Sequence, residues 1–205
     1  MLTGLLTGLF SVLAAYLIGS IPFGLIIVKL MTGSDVRAGG SGNIGATNVL
    51  RTTGRTAGVL TLLLDGGKGW LAVWLAGLLT GGSTLWMSFA ALAVLLGHAF
   101  SLWLRFAGGK AVASFVGAFL FLTPLPLLAV ILIFILVVAL TRYLSLASII
   151  AAALFPFACW MILHPDWPVL VAAAGAAILI VERHSANLHR IRAGEERIFA
   201  FRRTE

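Results

Sequence analysis

The chain has 205 residues, of which 60% are hydrophobic and only 10% charged, with a mean hydropathy of +1.08 and a formal net charge of +7. A soluble domain carries about 25% charged residues, so this composition excludes one and points to an integral membrane protein with several helical spans. The fourteen Lys and Arg are scattered over short loops rather than gathered on one domain, which argues against a nucleic-acid partner despite the basic balance.

Long unbroken apolar runs favour helices over a barrel, because lipid-embedded backbone must be satisfied internally. The lone Cys159 excludes a disulfide within the chain and reads as a small buried hydrophobe. No positive n-region precedes the first apolar run, so that run is expected to stay as a span.

Seven spans are predicted within one polytopic membrane domain, residues 1–205. The first covers about 5–30, with a break at Gly19-Ser20-Ile21-Pro22. A glycine-rich segment follows, and the second span covers about 57–79, interrupted by Asp65-Gly66-Gly67-Lys68. The third covers about 85–104. Arg105 to Lys110 forms a second polar loop before the fourth, about 111–122, which is short for a bilayer core of about 30 Å. Thr123-Pro124-Leu125-Pro126 leads to the fifth, about 125–141. Arg142-Tyr143-Leu144-Ser145 connects to the sixth, about 146–163, and His164-Pro165-Asp166-Trp167-Pro168 to the seventh, about 169–181. A basic tail, 182–205, completes the chain.

All Lys and Arg residues fall on the loops after spans one, three and five, on the tail, or near span ends facing that side. The positive-inside rule therefore places those loops and the C-terminus in the cytoplasm and the N-terminus outside. Spans two, four and six then all begin at the cytoplasmic surface, where their N–H groups and positive dipole ends face solvent.

The richest stretch is Gly39 to Arg51. It holds four glycines, Ser41, Thr47, Asn43, Asn48 and Arg51 in thirteen residues. Glycine lets the backbone turn N–H groups toward one point, the small polar side chains add donors, and Arg51 adds a planar fork of charge. Such an assembly suits an anion with several oxygens, of which phosphate is the natural choice. Gly40-Ser41-Gly42-Asn43-Ile44-Gly45 matches G-x-G-x-x-G, but the flanking membrane spans rule out the strand–turn–helix context of a dinucleotide fold. Gly108-Gly109-Lys110 resembles the end of a nucleotide P-loop without its first glycine or its Ser/Thr. Lys110 at the start of span four opposes the helix dipole, which makes sense beside an anion; a snorkelling lysine is the alternative.

Asp65 and Lys68 stand three apart and share a helix face, either as a structural ion pair or in direct contact with substrate. His98 sits near the inner end of span three, either as a candidate ligand to substrate or as a histidine hydrogen-bonded between helices. His184, Asn187 and Arg190 form one polar stripe as span seven ends; a histidine there is a candidate base, and an interfacial tail binding anionic headgroups is the alternative. No metal motif and no G-x-S-x-G elbow is present.

Taken in order, Gly19-Ser20-Ile21-Pro22-Phe23-Gly24, Ser41 to Asn48 with Arg51, Asp65-Gly66-Gly67-Lys68-Gly69, Gly97-His98-Ala99-Phe100-Ser101, Phe106 to Ala113, Arg142 to Ser148, and His184-x-x-Asn187-x-x-Arg190 with Gly194 and Glu196 resemble the bacterial membrane acyltransferases that acylate glycerol 3-phosphate from acyl-phosphate. The set covers almost the whole chain, and the H-x-x-x-x-D signature of thioester-using acyltransferases is absent after every histidine. The resemblance implies seven spans in the bacterial inner membrane, a cytoplasm-facing site, and the first acylation of phospholipid synthesis, giving lysophosphatidic acid and inorganic phosphate. It implies no cofactor or metal. The expected partners are glycerol 3-phosphate, long-chain acyl-phosphate, membrane lipids and a peripheral enzyme that makes acyl-phosphate.

Catalytic roles are expected for Ser41, Arg51, Lys110, His184 and Asn187. Substrate or phosphate contacts are expected from Gly40, Gly42, Asn43, Thr47, Asn48, Lys68, His98, Gly108, Gly109, Arg142, Ser145 and Glu196. The resemblance favours direct transfer, with the donor's phosphate or His184 taking the hydroxyl proton. A membrane carrier for a phosphorylated solute is the alternative, although no paired broken helices recur in the two halves.

Overall fold

The computed structural model describes residues 2–199, and every regular element among them is helical. The chain packs as two compact units, Met1–Leu122 and Thr123–Glu205. The first contains α1 (Leu2–Ser20), α2 (Phe23–Thr32), α3 (Ala46–Thr53), α4 (Arg55–Leu79), α5 (Thr84–Ala99) and α6 (Val112–Leu122). The second contains α7 (Pro124–Thr141), α8 (Leu144–Leu163), α9 (Trp167–Arg183) and α10 (Ser185–Arg192).

The first span breaks where the sequence indicates. Pro22 cannot donate a helical hydrogen bond, and the chain leaves α1 at Ser20 and resumes as α2 at Phe23. The carbonyls stranded by this break would each cost several kcal/mol in lipid, and two side chains from elsewhere in the first unit take them up. Ser101 Oγ donates to the Ser20 carbonyl at 2.5 Å, and Lys68 Nζ donates to the Ile21 carbonyl at 2.8 Å.

Small residues let the helices of this unit touch backbone to backbone. A Cβ on Gly69 of α4 would run into the carbonyl of Ser114 on α6, and one on Gly117 of α6 into the carbonyl of Gly66 on α4. Gly19 and Gly97 do the same for α1 against α5, facing the carbonyls of Val94 and Tyr16. In the second unit α8 packs against both α7 and α9, and α9 turns by 53° into α10.

Two short helices, α3 and α10, lie outside the seven expected spans. The polar segment before the second span contains its own helix, α3, cut from α4 by Gly54 at φ 105°. The helix start that adjoins Gly39–Gly45 is therefore that of α3.

Five stretches are long and apolar enough to cross a bilayer: Leu2–Thr32, Arg55–Leu79, Thr84–Leu104, Pro124–Thr141 and Leu144–Leu163. The bent pair Trp167–Arg183 and Ser185–Arg192 makes a sixth if taken as one span. Helix α6 has 11 residues and rises only about 16 Å, which separates this count from the expected seven.

Candidate active site

The glycine-rich loop is shaped by Asn48. Its Nδ2 donates to the carbonyls of Asn43 at 2.8 Å and of Val36 and Gly39 at 3.2 Å each, and its Oδ1 accepts the Ser41 N–H at 2.8 Å. Asn48 is 2% exposed, so its side chain ties residues 36 to 48 into one body. Asn43 Oδ1 accepts the Gly45 N–H at 2.8 Å, a local turn that leads into α3. Gly40 and Gly42 adopt φ of 61° and 69°, the left-handed region that glycine enters without strain. A Cβ at Gly40 would also collide with Asn48 Oδ1.

What this body presents outward is Gly40, Ser41, Gly42 and Thr47, all exposed, with Asn43 and Arg51 half-buried. Thr47 and Arg51 lie four apart on α3 and share a face. Val49 turns the other way, into an apolar cluster with Ile27, Val28, Val36, Ile44, Ala57 and Leu104.

Leu104 in that cluster begins the second loop, so both loops occupy the same end of the first unit. The second loop is held by its backbone: the Gly108 N–H donates to the Ala99 carbonyl at 3.1 Å and the Gly109 N–H to the His98 carbonyl at 3.0 Å. Glycine is required at both positions, since a Cβ on Gly108 would strike the His98 carbonyl and one on Gly109 the His98 ring. Three other residues, Arg105, Phe106 and Ala111, sit at φ of 52°, 65° and 61°. Side-chain-bearing residues enter that region at a cost, so the surrounding contacts force the loop into one shape. Lys110 is half-buried at its end, beside the start of α6.

Lys68 and His98 are deeply buried, each 3% exposed. Lys68 Nζ pairs with Asp65 Oδ1 at 2.7 Å and lies 5.6 Å from the centre of the Phe23 ring. His98 Nδ1 stands 3.3 Å from Ser114 Oγ and 3.6 Å from Asp65 Oδ1. Ser114 was not singled out by the sequence reading; a serine in the first turn of an otherwise apolar short span was the available signal.

In the second unit the expected residues gather on Glu196. Its Oε1 accepts from Ser145 Oγ at 2.8 Å and from Asn187 Nδ2 at 2.7 Å, and its Oε2 accepts from Arg190 Nε at 2.9 Å. Burial pushes the Glu196 carboxyl up, but the hydrogen bonds from Asn187, Ser145 and Arg190 and the arginine's charge outweigh it and hold it below the usual range. A carboxylate repels phosphate, so this geometry suits Glu196 as a clamp that orients Ser145, Asn187 and Arg190. Arg190, named in the sequence reading within the His184-x-x-Asn187-x-x-Arg190 stripe but given no role of its own, belongs with them. The Phe199 N–H donates to the Arg142 carbonyl at 2.9 Å, which fastens the segment after α10 to the α7–α8 turn, where Arg142 is exposed at φ 61°.

His184 is 3% exposed at the α9–α10 bend, and its Nδ1 lies 2.7 Å from the Ile180 carbonyl. A carbonyl only accepts, so Nδ1 carries the proton and the basic lone pair of the neutral ring is on Nε2. Among the described residues, no three His, Cys, Asp or Glu side chains are grouped to hold a metal ion.

Residues 9–194 match the family described as glycerol-3-phosphate acyltransferase. A glycerol-3-phosphate acyltransferase of Trichlorobacter lovleyi is 47% identical, with 94% of this chain and 97% of the relative covered. One from Geobacter sulfurreducens is 45% identical over 90% of this chain and 94% of its own. Among solved structures, the glycerol 3-phosphate form of PlsY, an integral membrane glycerol 3-phosphate acyltransferase, superposes with a TM-score of 0.88 at 38% identity, covering 94% and 96% of the two chains. Its lysophosphatidic acid form gives 0.85 at 37% identity, covering 94% and 95%.

Proposed function

Because the chain belongs to the glycerol-3-phosphate acyltransferase family, we propose that it acylates the 1-hydroxyl of glycerol 3-phosphate from a long-chain acyl-phosphate. The products are lysophosphatidic acid and inorganic phosphate, and the step opens phospholipid synthesis. The solved relatives in glycerol 3-phosphate and lysophosphatidic acid forms support the acceptor and the product. The family match runs from residue 9 to residue 194, across both compact units, which supports treating them as one acyltransferase.

The observation that carries this reading is the pair of glycine loops at one end of the first unit. Each ends near a half-buried cation, Arg51 or Lys110, and the loops share the apolar cluster that contains Ile44 and Leu104. Both reactants are anionic. Arg51, Lys110, Ser41, Thr47 and the start of α3 neutralise their phosphates and hold the hydroxyl against the acyl carbonyl, an arrangement worth up to about 7–11 kcal/mol of barrier in the ideal case. The hydroxyl oxygen attacks the acyl carbon, the bond from that carbon to the phosphate oxygen breaks, and the departing phosphate takes the hydroxyl proton. Phosphate is already a good leaving group, so no acyl-enzyme is required. His184 Nε2 is the rival proton acceptor, and His184→Ala with activity within about tenfold of the parent removes it.

We place the site at the cytoplasmic face of a seven-span protein in the bacterial inner membrane, with the peripheral enzyme that makes acyl-phosphate as a partner. The deciding experiment offers purified enzyme glycerol 3-phosphate with acyl-phosphate, acyl-CoA or acyl-carrier protein in parallel. Lysophosphatidic acid from acyl-phosphate alone is the expected result. Product from a thioester alone overturns the donor assignment, and uptake of a phosphorylated solute into proteoliposomes without acyl product favours the carrier.

A further inference from the structure

The two glycine loops share more than an apolar cluster. Between them lies a buried polar group, Asp65, Lys68 and His98, whose members are 2%, 3% and 3% exposed. One arm runs from Lys68, which donates to the Ile21 carbonyl at 2.8 Å and so fixes the start of α2. On α2, Gly24 is seated directly against the carbonyl of Ile44 in the first loop, with no room for a Cβ. The other arm runs from Asp65 to His98 Nδ1 at 3.6 Å, with Ser114 Oγ alongside at 3.3 Å. The His98 carbonyl accepts the Gly109 N–H, and its ring walls Gly109 in the second loop.

We propose that Asp65, Lys68 and His98 are positioning residues that set the spacing of the two loops, and thereby the affinity for the phosphate of glycerol 3-phosphate. Asp65 is the hinge of the device, since its Oδ1 lies 2.7 Å from Lys68 Nζ toward the first loop and 3.6 Å from His98 Nδ1 toward the second. An ion pair at this depth is a poor source of net stability, because desolvation offsets attraction; its worth lies in fixing geometry. The phosphate of glycerol 3-phosphate carries its charge before and during transfer, so a slackened spacing that leaves Arg51 and Lys110 in place raises KM more than it lowers kcat.

This inference rests on the reading of Arg51 and Lys110 as phosphate grips, and the experiment separates the two. Glycerol 3-phosphate binding is measured without donor, and KM and kcat with palmitoyl phosphate, for the parent, Asp65→Asn/Lys68→Met, His98→Ala, His98→Asn and Lys110→Ala. The double variant removes both charges together, so neither is left buried alone. Expected is a Kd and KM raised about tenfold with kcat within about threefold of the parent. His98→Ala shows the same direction, and His98→Asn, whose amide nitrogen replaces Nδ1, recovers part of it. If the double variant does not fold, the two His98 variants decide. Parent-like Kd in folded Asp65→Asn/Lys68→Met or in His98→Ala, with binding lost in Lys110→Ala, overturns the positioning role alone. A kcat loss at unchanged KM overturns it in favour of a direct chemical role. Parent-like binding in Lys110→Ala instead overturns the phosphate-grip reading of that loop.

Discussion

At the scale of single residues, the glycine-rich loop separates side chains that are exposed from those that hold its shape. Asn48 is of the second kind, and its four hydrogen bonds are all internal to the loop it shapes. Asn48→Asp turns a carboxylate oxygen toward the carbonyls that Nδ2 now serves, whereas Asn48→Ala only removes the donors. Aspartate is therefore expected to raise the KM for glycerol 3-phosphate at least as far as alanine does, and a steady-state comparison checks the order. Glu196 gives a pH prediction. A carboxyl whose folded pKa is lowered contributes stability that is full above its unfolded value, about 4.3, and lost as pH falls through the folded value. Glu196→Gln should cost about 1–3 kcal/mol near neutrality, and the gap in melting temperature should narrow only as pH falls below the free-carboxyl value. A gap that is already closed well above the free-carboxyl value would show that the ionised clamp is not what the substitution removes. Arg51→Ala and Lys110→Ala should nearly abolish turnover while leaving the melting temperature close to the parent's.

At the scale of elements, the clearest test is the seam between α4 and α6. Gly69→Ala forces a methyl into the backbone of Ser114 and Ala118, which should cost about 1–3 kcal/mol or more by overpacking. Gly67, two residues away on the same helix, has nothing within 4 Å of where its Cβ would be, so Gly67→Ala should melt like the parent. Thermal unfolding in detergent separates the two. This seam also marks the limit of what the sequence made legible. The Asp65-Gly66-Gly67-Lys68-Gly69 insertion was visible as a polar interruption of a span, but which glycine faces a neighbour depends on helix phase across a tertiary contact. The Ile21-Pro22 break and most helix ends were readable because proline, glycine and apolar run length act locally. Helix α3 was not, because it is only eight residues long, lies between Gly45 and Gly54, and carries Asn48, whose side chain binds the loop ahead of it. Likewise, the sequence placed Ser145, Asn187 and Glu196 in one motif set, but only the folded chain shows them sharing a carboxylate.

At the scale of the whole molecule, the expected topology can be tested directly. With Cys159 replaced, single cysteines at Ser83 and Gly194 should label from opposite faces of oriented vesicles, Gly194 from the cytoplasmic one; labelling from one face overturns the proposed orientation. The broken first span has a consequence for how the protein is made. The carbonyls of Ser20 and Ile21 are served by Ser101 and Lys68, 81 and 47 residues further along the chain. The leading segment therefore leaves the ribosome before either of those side chains exists, with the Ser20 carbonyl lacking its serine and the Ile21 carbonyl served only by the Phe23 N–H at 3.2 Å. It should linger at the lateral gate of the insertion machinery, or hold water beside it, until α4 and then the end of α5 emerge to complete it.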